Sequence, residues 1–563
     1  MRRMNDLAAN LSGRHIQRFL FAGLISLAAF MAWQHYFMQD DAYITFRYAK
    51  NMEEGNGLVW YPGLREFGYT NFLFTLMVGV MMCLGIAPEI AAMFISFPAF
   101  IGTVILVVLL VRSICNNSWA AWAAGLAVAT HYTISSYASG GMETSLQMFL
   151  VLQTYYLAFR YCQEPGRISF WHIALSSSLA LLCRLDSALL LGYAYLYLFA
   201  YFYQQAYHRG RDYFASRTFW VPVLAMTLTP VLVVGILLAG CGLYYGTPLP
   251  NTFYAKVDTN NEYFTEGLDY FFEYLNAELF FPVVLLLLTV GASLWAKKRG
   301  IVGSAAPFYL LGGCTIWVLY LLYLGGDFME FRMLVPMLPL FYVACFCVIA
   351  EAASFKQRWI WIPLALVCVG VNIEHGRIFQ PTSVMDSIYK LNWLVRAMKP
   401  NWISTGESLR KLFYTGAPDD VLMALHPVGA IPYFSGLPTV DLYGLNDLWV
   451  AQHGSPSRRM AGHRRRAPYS YMVDRKVNII IDFPHFYCPG PGLHPGGESG
   501  VHRQYSWLPT LLIPTDSGCY LVANYLTPNG RINDLIERGI IKEIPVGTPT
   551  MHGYFKVSFP PFK

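Results

Sequence analysis

Apolar runs close to the roughly 20 residues that cross a bilayer as a helix recur from residue 19 to about residue 373. In lipid every backbone polar group needs an internal partner, so such runs fold as spanning helices. Composition agrees: the 563 residues are 55% hydrophobic and 13% charged, against roughly 25% charged in a soluble domain. Residues 1–373 therefore read as a polytopic α-helical membrane domain. In residues 374–563 the apolar runs shorten, prolines and glycines become frequent and charges scatter, the pattern of a soluble α/β domain.

The basic N-terminus "MRRMNDLAANLSGRHIQRF" leads into an apolar segment, Leu20 to Met38, without a small-residue cleavage site. It reads as an uncleaved first span. The net charge of +6 is small for this size, and no long basic helix interleaves with aromatics, which argues against a nucleic-acid partner. Nine of the eleven cysteines fall in or beside apolar spans. Cys488 and Cys519 lie in the C-terminal part, where they either pair, if that part is exported, or stay free.

Basic residues cluster at 160–167, 208–217, 297–299 and 356–358. The positive-inside rule puts all four clusters in the cytoplasm with the N-terminus. That assignment needs about eleven spans, near 19–38, 90–111, 119–136, 144–160, 169–183, 188–203, 219–243, 279–296, 306–324, 332–350 and 359–374, and leaves the C-terminal domain outside. It also needs residues 71–86 to lie along the membrane or re-enter it as a juxtamembrane helix.

The polar stretches then gather at one outer face: Asp40 and Asp41, "GGMETS" (140–145), "CRLDS" (183–187), "YYGTPLPNTFYAK" (244–256) and "GGDFMEFR" (325–332). Asp40 and Asp41 either cap the helix that follows or supply a general base. A partly desolvated carboxylate beside a second one has its pKa raised toward the useful range. Asp40 shares a helix face with Tyr43 and Arg47, and the lean is to Asp40. Lys256, Arg184 and Arg332 suit a lipid phosphate, though each alone could snorkel or pair, Arg184 with Asp186 for instance. Glu143 and Asp327 each follow glycines, Asn251 and Thr252 can bond sugar hydroxyls, Asn71 is a further candidate, and Tyr69 reads as an interface anchor with a weaker claim. No ligand set has the spacing of a metal site.

As a set, "DDAYITFRYAKNMEEGNGLVWYPGLREFGYTNFLFT", "YYGTPLPNTFYAK", "GGDFMEFRMLVPMLP" and "DLYGLNDLWVAQ" resemble, in order, the arabinofuranosyltransferase B family. Its members are GT-C membrane glycosyltransferases that cap bacterial arabinans, and relatives glycosylate pilin. The resemblance implies a GT-C fold and transfer of a pentofuranose, D-arabinofuranose, from a polyprenyl-phosphate donor at the periplasmic face of the bacterial inner membrane. No cofactor is implied. The acceptor would be a glycan or a surface protein such as pilin. In the GT-C class an aspartate of the first outer loop is the usual catalytic residue, which falls on Asp40 or Asp41, and Arg47 joins the donor-binding set. The resemblance further implies that Asp441, Asn446 and Asp447 of "DLYGLND", and His463 in the basic stretch 457–466, fold back over the site. The chain departs from the family where it has "RLDS" for an Arg-Pro-Asp element and "LREFGY" for Glu-Arg-Val-Glu-Gly-Tyr.

Two other readings compete. One is a GT-C transferase moving a hexose or aminoarabinose to protein or lipid A. The other is a transporter or flippase of lipid-linked sugars, which would place its charges near the bilayer midplane within repeated halves; here the charges gather at one face and no repeat is evident.

Overall fold

The computed structural model describes residues 2–256, 262–301, 303–352, 358–380, 385–416, 420–457, 463–488, 505 and 507–546. Residues 356 and 357 of one basic cluster, and Arg458, Arg459 and Gly462 of the basic stretch, lie outside the described residues. The helices of the first two thirds are α1 (Arg2–Gln34), α2 (Ala42–Glu53), α3 (Phe72–Cys83), α4 (Pro88–Cys115), α5 (Ser118–Thr130), α6 (Tyr132–Ser136), α7 (Thr144–Gln163), α8 (Phe170–Cys183) and α9 (Ser187–Arg209). They continue with α10 (Arg211–Phe214), α11 (Arg217–Tyr245), α12 (Asn251–Lys256), α13 (Glu262–Ala277), α14 (Phe281–Lys298), α15 (Ala306–Leu324), α16 (Leu338–Ala352) and α17 (Trp361–Ile378).

Local chemistry sets their ends. Asn117 caps α5 by accepting from the backbone N–H of Trp119 and Ala120, Pro88 opens α4 where a missing N–H costs nothing, and Gly246 and Gly325 close α11 and α15 with left-handed φ. By length and composition alone, α4, α11, α14 and α15 can cross a membrane. The other expected spans each hold a helix too, with two corrections: in the run 332–350 the α-helix begins only at Leu338, and the run 119–136 is not continuous. Its helix stops at Thr130, His131 is extended, and α6 starts afresh. His131 sits there, buried, beside Glu278 at 3.5 Å. α3 has 12 residues, about 18 Å at 1.5 Å per residue, too short for a hydrocarbon core of about 30 Å. Helix α13 was not anticipated; Tyr263, Tyr270 and Tyr274 on one of its faces are buried.

After α17 the chain forms α18 (Ile388–Asn392), α19 (Trp402–Phe413), α20 (Ala430–Ser435), α21 (Leu448–His453), α22 (Tyr469–Asp474) and α23 (Gly530–Glu537). They surround a six-stranded sheet ordered β2-β1-β5-β7-β6-β8. Its strands are β1 (Met423–Leu425), β2 (Thr439–Asp441), β5 (Ile479–Tyr487), β6 (Thr510–Pro514), β7 (Tyr520–Tyr525) and β8 (Lys542–Ile544); β3 (Ser455–Pro456) and β4 (Arg465–Arg466) pair separately. β1 runs parallel to β2 and to β5, while β7, β6 and β8 are antiparallel. Cys488 and Cys519 are joined as a disulfide. The loops leaving the carboxyl ends of β1 and β2 both reach the helical part, and that contact shapes the site.

Candidate active site

A partly enclosed cavity of about 260 Å³ lies where α2, α12 and α15 meet the loops at 68–71, 142–143, 184–186 and 326–333. Nine of the expected residues line it: Asp41, Asn71, Glu143, Arg184, Asp186, Thr252, Lys256, Asp327 and Arg332. They come from six separate stretches of sequence.

Most of the charges are already paired. The Arg184 guanidinium donates to both oxygens of Asp186, at 3.2 and 2.6 Å on Oδ2 and 3.1 Å on Oδ1, and to Glu143 Oε1 at 2.7 Å. Asn71 Nδ2 donates to Glu143 Oε2 at 2.8 Å, and Gln147 donates to Asp186 at 3.0 Å. This clasp fixes the start of α7 against the turn between α8 and α9. Arg332 pairs with Asp327 at 2.7 Å.

Two charges are different. Among the described residues, neither the Asp41 carboxylate nor the Lys256 ammonium has a side-chain hydrogen bond or ion pair, although both line the cavity. Burial pushes the Asp41 carboxyl up to about 6, with Asp327 and Glu143 adding to the rise and Arg332 and Lys256 opposing it. Burial lowers the Lys256 ammonium, while Asp327 and Asp41 favour its charge. The cavity thus holds one uncommitted base and one uncommitted cation.

Asp40 is turned elsewhere, which corrects the lean from sequence. Its Oδ1 accepts the N–H of Ala430 at 2.8 Å and its Oδ2 that of Gly429 at 3.1 Å, and it is 5% exposed. Neither aspartate caps α2 through its side chain; Asp40 instead holds the start of α20. Burial, with the neighbouring Asp41 charge, pushes Asp40 up to about 7 against the pull of those two N–H groups.

The remaining expected residues do not reach the cavity. Arg47 is buried and donates to the carbonyls of Trp60 (2.8 Å) and Leu437 (2.9 Å), with its guanidinium 4.4 Å from the Trp60 ring. Asn251 donates to Glu66 Oε2 at 3.0 Å, an oxygen that also takes the N–H of Leu448 at 2.9 Å. Asp441 accepts from the N–H of Tyr443 and Asn446 within its own loop. Asn446 meets Tyr48 Oη at 3.4 Å. Asp447 caps α21 through Val450 N–H and accepts from Tyr471 Oη. His463 packs its ring on Phe328, 5.0 Å between centroids, one residue from Asp327.

Thr45, Tyr69, Tyr320 and Leu445 also line the cavity. Tyr69 donates to or accepts from Tyr245 Oη at 3.0 Å. Leu445 is the contribution of the C-terminal part, and it lies inside the quoted "DLYGLND" motif, apolar among polar neighbours. Phe67, standing where the family pattern has an acidic residue, stacks on Tyr245 at 4.7 Å. Among the described residues no group of three or more His, Cys, Asp and Glu is placed to hold a metal ion.

Residues 396–527 match a family model described as a domain of unknown function, DUF8728. No curated protein matches the chain. Among solved structures, ArnT from Cupriavidus metallidurans in the apo state aligns with 89% of this chain and 97% of its own, at 10% identity and a TM-score of 0.52. The same protein bound to undecaprenyl phosphate aligns with 91% and 99%, at 10% identity and a TM-score of 0.51. An Archaeoglobus fulgidus oligosaccharyltransferase covers 81% of this chain and 67% of its own at 12% identity, with a TM-score of 0.47. The ArnT likeness covers most of the chain, and the chain shares that overall fold.

Proposed function

We propose that the chain is a membrane glycosyltransferase that moves a sugar from a polyprenyl-phosphate donor to an acceptor hydroxyl. One observation carries this reading: a single cavity at the junction of the helices and the sheet presents Asp41 and Lys256 uncommitted, while its other charges are tied to one another. In the reaction, Asp41 takes the proton of the acceptor hydroxyl as that oxygen bonds to the anomeric carbon. The bond from that carbon to the phosphate oxygen breaks, and the phosphate leaves with its electron pair. Lys256 neutralises the charge that develops there, with Arg332 beside it. Thr252, which lines the cavity, is the candidate for a sugar hydroxyl.

The four ordered motifs favour D-arabinofuranose as the sugar, and the acceptor class they favour is a glycan or a surface protein. The disulfide supports a C-terminal domain on the oxidising side of the membrane, and with it a periplasmic site on a soluble domain spanning residues 374–563. Uncommitted charge at one face supports chemistry there over alternating access.

The test is single turnover in nanodiscs with a synthetic polyprenyl-phosphate arabinofuranose and an arabinan fragment. Asp41→Asn should lower kcat by at least about a hundredfold. Full turnover by that variant sinks the base assignment, and absence of any polyprenyl phosphate release by the wild type sinks the reaction class.

A further inference from the structure

The turn that carries Asp41 is gripped from two sides. On the helical side, Gln39 N–H donates to the Gly140 carbonyl at 3.2 Å and Phe37 N–H to Ser139 Oγ at 3.3 Å. Gly141 leaves so little room there that a Cβ would stand 2.4 Å from Met38 Sδ. On the other side is the loop after β1. Both carboxylate oxygens of Asp40 accept its N–H groups across a separation of 389 and 390 residues, and Met38 N–H reaches Asn392 Oδ1 at 3.4 Å.

Gly429 is the tightest point. A Cβ on Gly429 would lie 1.9 Å from the Asp40 carbonyl oxygen and 2.6 Å from Asp40 Cγ. The Asp40 carbonyl is itself in use, accepting Tyr43 N–H at 2.9 Å in the first turn of α2. A push on Asp40 is therefore a push on the next residue and on the helix start together.

We infer that Asp40 and Gly429 form one positioning contact through which the C-terminal domain sets the aim of Asp41 into the cavity. Asp40 touches no substrate in this scheme; it acts through its neighbour. The domain matched at residues 396–527 then has a share in the chemical step. This inference rests on the proposed reading of Asp41 as the base.

The experiment uses the full chain in nanodiscs, with Asp40→Ala, Asp40→Asn, Gly429→Ala, the double variant Asp40→Ala/Gly429→Ala, and Asp41→Asn in parallel. Displacing a reacting group by about 1 Å costs on the order of a hundredfold. Asp40→Ala and Gly429→Ala should accordingly lower kcat by about 10- to 100-fold, with donor KM within about twofold of wild type. Asp40→Asn keeps one accepting oxygen and should recover part of the loss. The double variant should be no slower than the worse single by more than about threefold, because both remove the same contact. Folding is checked by the intact Cys488–Cys519 bond and a monodisperse elution profile. The inference is overturned if folded Asp40→Ala and Gly429→Ala keep kcat within twofold of wild type, if donor KM rises in step with the fall in kcat, or if the two losses multiply. Asp41→Asn separates the layers: full turnover there removes the base itself, whereas a dead Asp41→Asn beside normal Asp40 and Gly429 variants removes only this coupling.

Discussion

At the scale of single residues, Asp41 and Lys256 make opposite demands on pH and donor concentration. A base must be ionised to act, and burial holds the Asp41 carboxyl up to about 6. Activity should therefore fall as pH drops through about 6, and fall again on the alkaline side as the lowered Lys256 ammonium loses its proton; a kcat profile flat down to pH 4 would contradict the first limb. Lys256→Ala removes a charge-assisted contact worth about 1.5–3 kcal/mol, so donor KM should rise about 10- to 100-fold while Lys256→Arg recovers much of it. Unchanged donor kinetics would take Lys256 out of the phosphate site. Much of this site was legible beforehand, since a charge beside an apolar run is costly and stands out. The choice between Asp40 and Asp41 was not. Both precede α2, where the face-sharing rule for helices has no purchase, and the deciding contact lies 389 residues away. Asp441 and Asp447 misled for a different reason: short polar side chains bond their own backbone in turns, and here they do. Leu445 and Tyr320 carry no polar signal that distinguishes them from packing residues.

At the scale of elements, α2 and α12 are the pieces that bring the site to the sheet. Arg47 on α2 is buried without a carboxylate partner and spends its donors on two carbonyls, one from each part of the chain. Arg47→Ala removes two hydrogen bonds from a charged donor, each worth about 1.5–3 kcal/mol, from carbonyls that each keep one other donor, and should lower the thermal midpoint while leaving donor KM unchanged in the folded fraction. A large KM effect would return Arg47 to the donor site. Helix α12 is held at its first residue by Glu66, which also accepts the N–H of Leu448, the first residue of α21. Lys256 is the last residue of that six-residue helix, so its position depends on both ends of the chain. Sequence periodicity placed the long helices well because apolar length is a strong signal. It misses α13, whose buried tyrosine face and acidic residues give no long apolar run, and it runs one helix through His131, where the backbone turns extended.

At the scale of the whole molecule, the disulfide closes a loop with a sequence separation of 31, for which chain entropy predicts about 3 to 4 kcal/mol. Cys488→Ser/Cys519→Ser should melt earlier than the wild type, and reductant should shift the wild type to match; equal melting curves would remove its stabilising role. The grip on the Asp41 turn also has a consequence for how the chain is made. Residues 1–373 are synthesised first, and the acidic pair with them. The partner of Asp40 is synthesised almost 400 residues later. On the reading proposed above, until Gly429 arrives the Asp41 turn is held from the helical side alone, and a nascent or truncated chain would transfer sugar only after the last third has folded.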